Sequence, residues 1–341
     1  MRRFSIIVFV FALLALTSCA DRRYFQVTGY AQGGTYSIKY RGASVGPEVV
    51  RAKADSLLRE IDFTFSGYNH NSLLSKLNRG DSVVLTPMFA EVYRLSYEMW
   101  KLSGGAFDAA CGPLFDIWGF GFTSGEMPSD ALVAQTLASC GTSRLVSPDV
   151  VDSLVSAGNS VTGYDLYVIP DSDRGSLPVL NFNAIAQGYS CDLVYNMLRG
   201  LGVTDMLVDI GEIRCCGLNP SGKGWSIGID NPVDGNDKPG EDIRQVWTSD
   251  GGDYGVVTSG NYRKFYVRDG KKYSHTIDPR TGRPVEHNLL SATVIAPTAA
   301  EADALATIFM VIGFEPAREY LKTRPDLEAY LITSDSLWSS K

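Results

Sequence analysis

The 341-residue sequence predicts an α+β protein in which mostly antiparallel sheets pack with helices. Three observations point there. Short alternating apolar runs crowd the stretch from Met206 to Ile295, with Gly- and Asp-rich turns between them, and strands joined this closely pair antiparallel. Apolar residues recur at helical spacing in several separate segments that carry their own start and stop residues. Hydrophobic residues make up 45% of the chain and charged residues 20%, a globular balance, and there are no internal repeats, heptads or low-complexity tracts.

The N-terminus comes first. Arg2-Arg3 precedes a charge-free run from Phe4 to Leu16, roughly 13 residues, short of the ~18–20 that a spanning helix needs. This is the pattern of a secretory signal over residues 1–18. Leu16-Thr17-Ser18-Cys19 resembles the bacterial lipobox, in which the cysteine is lipidated; an ordinary cleaved signal with an incidental cysteine is the other reading. Stable anchoring through Cys19 requires more than one acyl chain. Residues 19–34 read as a tether, and 35–341 as a single domain.

Without residues 1–18 the chain loses Arg2 and Arg3 and no acid, leaving 29 basic against 38 acidic residues, a net of −9. That balance argues against nucleic-acid binding and against electrostatic attachment to anionic lipid. It also means that a phosphate-bearing ligand would need a metal or oriented backbone N–H groups. Besides Cys19 there are five cysteines (Cys111, Cys140, Cys191, Cys215 and Cys216), an odd number without a C-x-x-C pair. An oxidising compartment allows one or two disulfides, but this is no disulfide scaffold. Three histidines (His70, His275 and His287) are too few for a His-rich zinc site.

Thr35–Tyr40 alternates as a strand. Val50, Ala54, Leu57, Leu58 and Ile61 place an amphipathic helix over Glu48–Ile61. Helices follow at Met88–Leu102, stopped by Gly104-Gly105, and at Ser129–Ser139, stopped by Gly141. Residues 143–180 read as strands and turns. A helix over Ala186–Leu198 ends at Gly200. Strands are expected at Met206–Ile210, Trp225–Ile229, Tyr254–Thr258, Arg263–Val267 and Leu290–Ile295, with Asn231–Glu241 the most linker-like loop. Helices at Ala299–Ile312 and Pro316–Lys322 and a strand at Ala329–Ile332 close the chain.

Four segments could carry chemistry. In the helix that begins at Ala299, Thr298 and Glu301 form a T-x-x-E capping box. Asp303 and Thr307, at i and i+4, share one face of an otherwise apolar helix. A buried carboxylate needs a partner, either an arginine or a hard cation such as Mg²⁺, which favours carboxylate, hydroxyl and carbonyl oxygens. The second segment, Ser274 to Pro284, holds His275, Asp278 and Arg280 among turn formers; it is either a plain hairpin or a phosphate-handling turn. The third, Gly104-Gly105-Ala106-Phe107-Asp108 leading to Gly121, sets glycine backbone beside aromatic side chains. It is either a core connection or a surface that admits a planar ring. The fourth, Asn181 to Tyr189, precedes a helix whose N–H groups could meet a phosphate.

Taken together, the segments resemble the FAD:protein FMN transferases, the ApbE or thiamine biosynthesis lipoprotein family. The matching stretches are Gly34-Thr35, Phe65-Ser66-Gly67-Tyr68, Gly105–Asp108, Gly112-Pro113 through Trp118–Gly121, Ala184–Tyr189, Thr258–Tyr262, His275–Gly282 and Asp303–Thr307, in family order across nearly the whole chain. The resemblance implies an ApbE-like fold and an enzyme that faces the periplasm. It would move FMN from FAD to a threonine or serine hydroxyl of an acceptor flavoprotein carrying D-G-x-[S/T]-G-A-T, releasing AMP. It implies Mg²⁺ on the Ala184 carbonyl, Asp303 and Thr307, and FAD contacts from Tyr68, Ala106, Phe107, Asp108, Asn181, Gln187 and His275. Asp303 and His275 would be the catalytic pair. Three departures stand out: Asn181 and Gln187 replace a common acid and lysine, Gly33 replaces a methionine, and Gly211-Glu212-Ile213 is one residue short. Hydrolysis of FAD to FMN and AMP, or flavin binding without catalysis, are the alternatives.

Overall fold

The computed structural model describes residues 23–42, 45–121, 127–168, 179–236, 238–262, 265–268 and 270–341. The expected signal segment and the lipidation site Cys19 lie outside the described residues, as does Arg263 of an expected strand.

The described chain opens with β1 (Tyr24–Ala31) and β2 (Gly34–Arg41), followed by α1 (Pro47–Phe65), α2 (Leu73–Asn78), β3 (Val83–Val84), α3 (Pro87–Leu102), α4 (Gly112–Ile117), α5 (Asp130–Ser139), α6 (Pro148–Ala157) and β4 (Ser160–Val161). Next come α7 (Ala186–Gly200), β5 (Met206–Asp209), β6 (Ile213–Cys216), β7 (Ser226–Asp230), β8 (Ile243–Thr248) and β9 (Tyr254–Gly260). Two hairpins, β10 (Phe265–Arg268) with β11 (Lys271–Ser274) and β12 (Ile277–Asp278) with β13 (Arg283–Pro284), lead to β14 (Leu289–Ala296). The chain ends with α8 (Ala299–Ile312), α9 (Phe314–Lys322), β15 (Glu328–Thr333) and β16 (Leu337–Ser339).

Eight strands form the central sheet in the order β1-β2-β5-β6-β9-β14-β15-β16, and every neighbouring pair is antiparallel. Its middle strands are buried on both faces. Cys216, Val257, Val294 and Leu331 point into the main core beneath the helices. Their neighbours Cys215, Val256, Ile295 and Ile332 point the other way, into a smaller cluster with Trp225, Ile227, Ile229 and Trp247 from the β7–β8 ribbon. The period-two alternation of side chains therefore feeds two cores from one set of strands.

Three expectations are corrected here. The tether over 19–34 is strand from Tyr24 onward, paired with β2 in register from Tyr24↔Arg41 to Ala31↔Gly34. Its two-residue turn has left-handed φ at Gln32 (53°) and Gly33 (79°), the primed hairpin geometry. Only Val27 of β1 is buried, so the strand carries no apolar alternation to read. The described residues of 143–180 are not mainly strand: α6 starts after Ser147 and stops at Gly158 in the left-handed conformation (φ 64°). The short helices α2 and α4 and strand β8 were not expected. All of β8 except Trp247 is exposed, so it too shows no alternation.

The start of α8 positions the site. Thr298 Oγ1 accepts from Glu301 N at 3.2 Å, but the Glu301 carboxylate pairs with Arg324 (2.8 Å), so the capping box forms only in its first half. The other open N–H groups, at Ala299 and Ala300, donate to the two Asp192 carboxylate oxygens at 3.0 and 2.9 Å. Asp192 is backed by Arg214 at 3.5 Å, and Arg214 lies 4.6 Å over the Tyr195 ring. Close packing around this helix start depends on two glycines. A Cβ at Gly188 would sit 2.3 Å from Ala299 O, and one at Gly255 would sit 2.4 Å from Ala299 N.

Candidate active site

A cleft of about 420 Å³ opens where α8, the start of α7, the end of β9, the Gly104–Cys111 loop and the β12 hairpin meet. The ten residues that the resemblance implies for FAD and Mg²⁺ all line it: Tyr68, Ala106, Phe107, Asp108, Asn181, Ala184, Gln187, His275, Asp303 and Thr307.

Asp303 is 5% exposed, and Thr307 is half-buried one turn along the same face of α8. Asp303 Oδ2 accepts from Gly188 N at 3.0 Å, and Thr307 Oγ1 lies 3.4 Å from Ser259 Oγ on β9. Among the described residues no basic side chain pairs with Asp303; the nearby buried arginine, Arg214, serves Asp192. Of the two readings of this pair, ion pairing with an arginine finds no support among the described residues. Because Gly188 N–H goes to Asp303, it does not make the helical bond back to Ala184 O. No hydrogen bond to that carbonyl is found among the described residues.

The other expected residues divide by what holds them. Asp108 is a structural anchor: its carboxylate accepts from Ala110 N (2.8 Å), from Thr142 N (3.0 Å to each oxygen) and from Thr142 Oγ1 (2.7 Å). Those bonds shape the loop that presents Ala106 and Phe107, both buried. Asn181 Oδ1 accepts from Asn183 N at 2.9 Å, closing the turn ahead of Ala184. Gln187 donates Nε2–H to Ile210 O at 2.8 Å. Gly211 has a φ of +92°, and a Cβ there would lie 2.2 Å from Gln187 Nε2, so the shortened Gly-Glu-Ile stretch and Gln187 fit each other. His275 is half-buried, with its ring edge-on to Phe120 at 6.4 Å. Tyr68, 78% exposed, stands at the mouth. Arg280 does not line the cleft; it forms a two-pronged pair with Asp278 at 2.9 and 2.8 Å.

Sequence reasoning missed Glu212. Its side chain lines the cleft, and its own backbone carbonyl accepts from Cys191 Sγ at 3.0 Å. Burial first, then the negative charge of Asp303, pushes its carboxyl well above the usual range, against the pull of Thr258 N–H. The available signal was the glycine-preceded acid between two strands. Ser259, Tyr262 and Phe120 also line the cavity.

Among the described residues the lining thus holds three carboxylates (Asp108, Glu212 and Asp303), one imidazole and no lysine or arginine. Among the described residues no group of three or more His, Cys, Asp or Glu is placed to hold a metal. The available donors are instead the Asp303 carboxylate, the Thr307 hydroxyl and the free Ala184 carbonyl. Such a set suits Mg²⁺, which is held by few protein oxygens and completes its shell with water and phosphate. Burial, then the charge of Asp192, pushes Asp303 up to about 7, with Gly188 N–H opposing.

The sign of the resulting pH effect follows. An acid whose folded pKa exceeds its unfolded value favours folding at low pH, and that contribution is lost as pH rises from about 4 toward 7. A cation on Asp303 needs the ionised form, so Mg²⁺ should raise Tm more near pH 8 than near pH 5.5. Asp303→Asn should erase the difference. Equal Mg²⁺ shifts at both pH values in the unmodified chain would count against a cation on Asp303.

The proteins that this chain is similar to are enzymes of the transferase class. In structure, the chain is similar to the flavin transferase ApbE from Vibrio cholerae (TM-score 0.74, 28% identity, 93% of this chain and 96% of that one). It is equally similar to the apo form of the Pseudomonas stutzeri flavinyl transferase ApbE (TM-score 0.76, 30% identity, 94% and 96%). In sequence it is 32% identical to the FAD:protein FMN transferase of Vibrio cholerae over 317 residues, 89% of this chain and 86% of that protein. The Salmonella typhimurium FAD:protein FMN transferase matches at 32% over 315 residues, 89% and 84%. The chain belongs to the ApbE family, whose model matches residues 32–331.

Proposed function

We propose that this chain transfers FMN from FAD to a threonine or serine hydroxyl of an acceptor flavoprotein, with release of AMP. The observation that carries this reading is the mismatch between the cleft's charge and its shape. Tyr68, Phe107, Phe120 and Tyr262 offer aromatic surface to a planar ring, yet among the described residues the same cavity has carboxylates and no lysine or arginine. A flavin joined to a pyrophosphate fits only if a cation accompanies the phosphates. The names of the similar transferases support the choice of substrate.

Asp303, Thr307 and the Ala184 carbonyl would hold Mg²⁺, which when bound polarises the pyrophosphate and neutralises charge on the departing AMP. Gly188 N–H keeps the Asp303 carboxylate aimed while it carries out this role. Tyr68 at the mouth stacks on the flavin, and the Asp108-anchored loop forms the wall beside it. His275, the one imidazole lining the cleft among the described residues, takes the proton from the acceptor hydroxyl as its oxygen bonds to the FMN phosphorus. The bond from that phosphorus to the bridging oxygen breaks, and AMP leaves with that oxygen. In this reading the chain is exported, anchored to a bacterial membrane through lipid on Cys19, and faces the periplasm. Its partner carries D-G-x-[S/T]-G-A-T.

The test is direct. Mix the chain with FAD, Mg²⁺ and such an acceptor, then weigh the acceptor. One FMN residue should be added, and EDTA should prevent it. An unmodified acceptor, under conditions where the Vibrio cholerae transferase modifies it, would defeat the proposal.

A further inference from the structure

We infer that Ser259 is a positioning residue for the cation: its hydroxyl accepts the Thr307 O–H and keeps the Thr307 lone pairs turned into the cleft. The inference rests on the reading of Asp303, Thr307 and the Ala184 carbonyl as the cation's protein ligands. It does not require that the chain transfers FMN.

Strand and helix bring the two hydroxyls together in step. α8 starts against Gly255 of β9, where a Cβ would lie 2.4 Å from Ala299 N. From there the strand rises ~14 Å to Ser259 and the helix ~12 Å to Thr307, so the two side chains arrive level. Val257, two positions before Ser259 on the same face of β9, points into the main core beneath the helices. Ser259 therefore points toward α8 as well, and both residues line the cleft with their Oγ atoms 3.4 Å apart.

A hydroxyl inside a helix commonly bonds back to the carbonyl one turn earlier. This chain does so elsewhere: Thr64 donates to Glu60 O at 2.8 Å, Ser153 to Asp149 O at 2.8 Å and Ser190 to Ala186 O at 2.6 Å. Thr307 makes no such bond to Asp303 O, and among the described residues the Ser259 hydroxyl is its hydrogen-bond partner. Helical threonine divides between two χ1 rotamers because the carbonyl a turn back competes for its hydroxyl. Ser259 decides that competition in favour of the cleft.

The choice matters for a cation. An alcohol oxygen offers it a lone pair only when the proton is sent elsewhere, and a residue behind a metal ligand commonly sets that direction. Ser259 Oγ takes the proton. With alanine at 259 the Thr307 hydroxyl is released to bond Asp303 O, as the other helical hydroxyls of this chain do.

The experiment titrates Mg²⁺ alone into the metal-free full chain in detergent at pH 8 and follows Tm. In the unmodified chain Tm should climb with Mg²⁺. Ser259→Ala should need about tenfold more Mg²⁺ for the same rise, the low end for a residue behind a metal ligand, because 3.4 Å is long for an O–H···O bond. Its metal-free Tm should stay where it was, which a merely structural role would not allow. Ser259→Thr, which keeps the hydroxyl, should return the Mg²⁺ requirement to within about threefold of the unmodified chain. Thr307→Val removes the group that Ser259 acts through, so adding Ser259→Ala to it should cost nothing further. No Mg²⁺ response in the unmodified chain overturns the cation site and this inference with it. A normal response that Ser259→Ala leaves within about twofold, or a loss that recurs in full on top of Thr307→Val, overturns the role of Ser259 and leaves the cation site standing.

Discussion

Asp303→Ala abolishes FMN transfer while the chain stays folded: the expected loss is roughly a thousandfold or more, about 4 kcal/mol of transition-state stabilisation. The carboxylate is the only acidic side chain on the buried face that also carries Thr307, and among the described residues its hydrogen-bond partner is the Gly188 N–H. Removing it would take away the anionic anchor proposed for the cation. It also removes a group whose ionised form the interior disfavours, so metal-free Tm near pH 8 should not fall. Asp303→Asn keeps the shape and an oxygen for Gly188, and should lose transfer just as fully. Activity within about tenfold of wild type in both variants would show that the cation is held elsewhere.

Gly188→Ala has the largest expected effect on the fold. The new methyl would lie 2.3 Å from Ala299 O, 2.6 Å from Ala299 C and 2.9 Å from Ala300 N, all of them backbone atoms that cannot swing aside. Helices α7 and α8 must part, at roughly 3 kcal/mol or more, lowering Tm by about 5–10 °C. The same movement stretches the 3.0 Å bond to Asp303, so the response of Tm to Mg²⁺ should shrink as well. Gly200→Ala, at the other end of α7, meets nothing within 4 Å and should be neutral or stabilising by up to about 1 kcal/mol. Equal melting temperatures for the two variants would contradict this account of the helix contact.

The expected helices over Glu48–Ile61, Met88–Leu102, Ser129–Ser139, Ala186–Leu198 and Ala299–Ile312 all formed, within a few residues at each end. Their caps and stripes are made by residues a turn apart, so the information is local. Ser129 Oγ accepts from Leu132 N at 3.2 Å, and Gly141, Gly158 and Gly313 stand just past helix ends. β1 and β8 were not legible, because each lies mostly exposed and is held by its neighbour's backbone rather than by an apolar face. At the site, Asp303 and Thr307 were legible as a polar pair in an apolar helix. Glu212 was legible only as the acid of the shortened Gly211-Glu212-Ile213 stretch, since its place beside Asp303 is set by packing and not by its neighbours in the chain. Arg280 was over-read: its charge is consumed two residues away by Asp278.

The amino-acid sequence by itself determined the longer helices, the core strands, the acidic balance and the one helix face that carries a carboxylate and a hydroxyl. Each of these is settled by side-chain type and by spacing of four residues or fewer. Only the tertiary structure decided what Asp303 meets. Its hydrogen-bond donor is the backbone of a residue 115 positions away, delivered by a glycine that lets two helices touch. Sheet register and helix contact set that meeting, and both are properties of the packed chain.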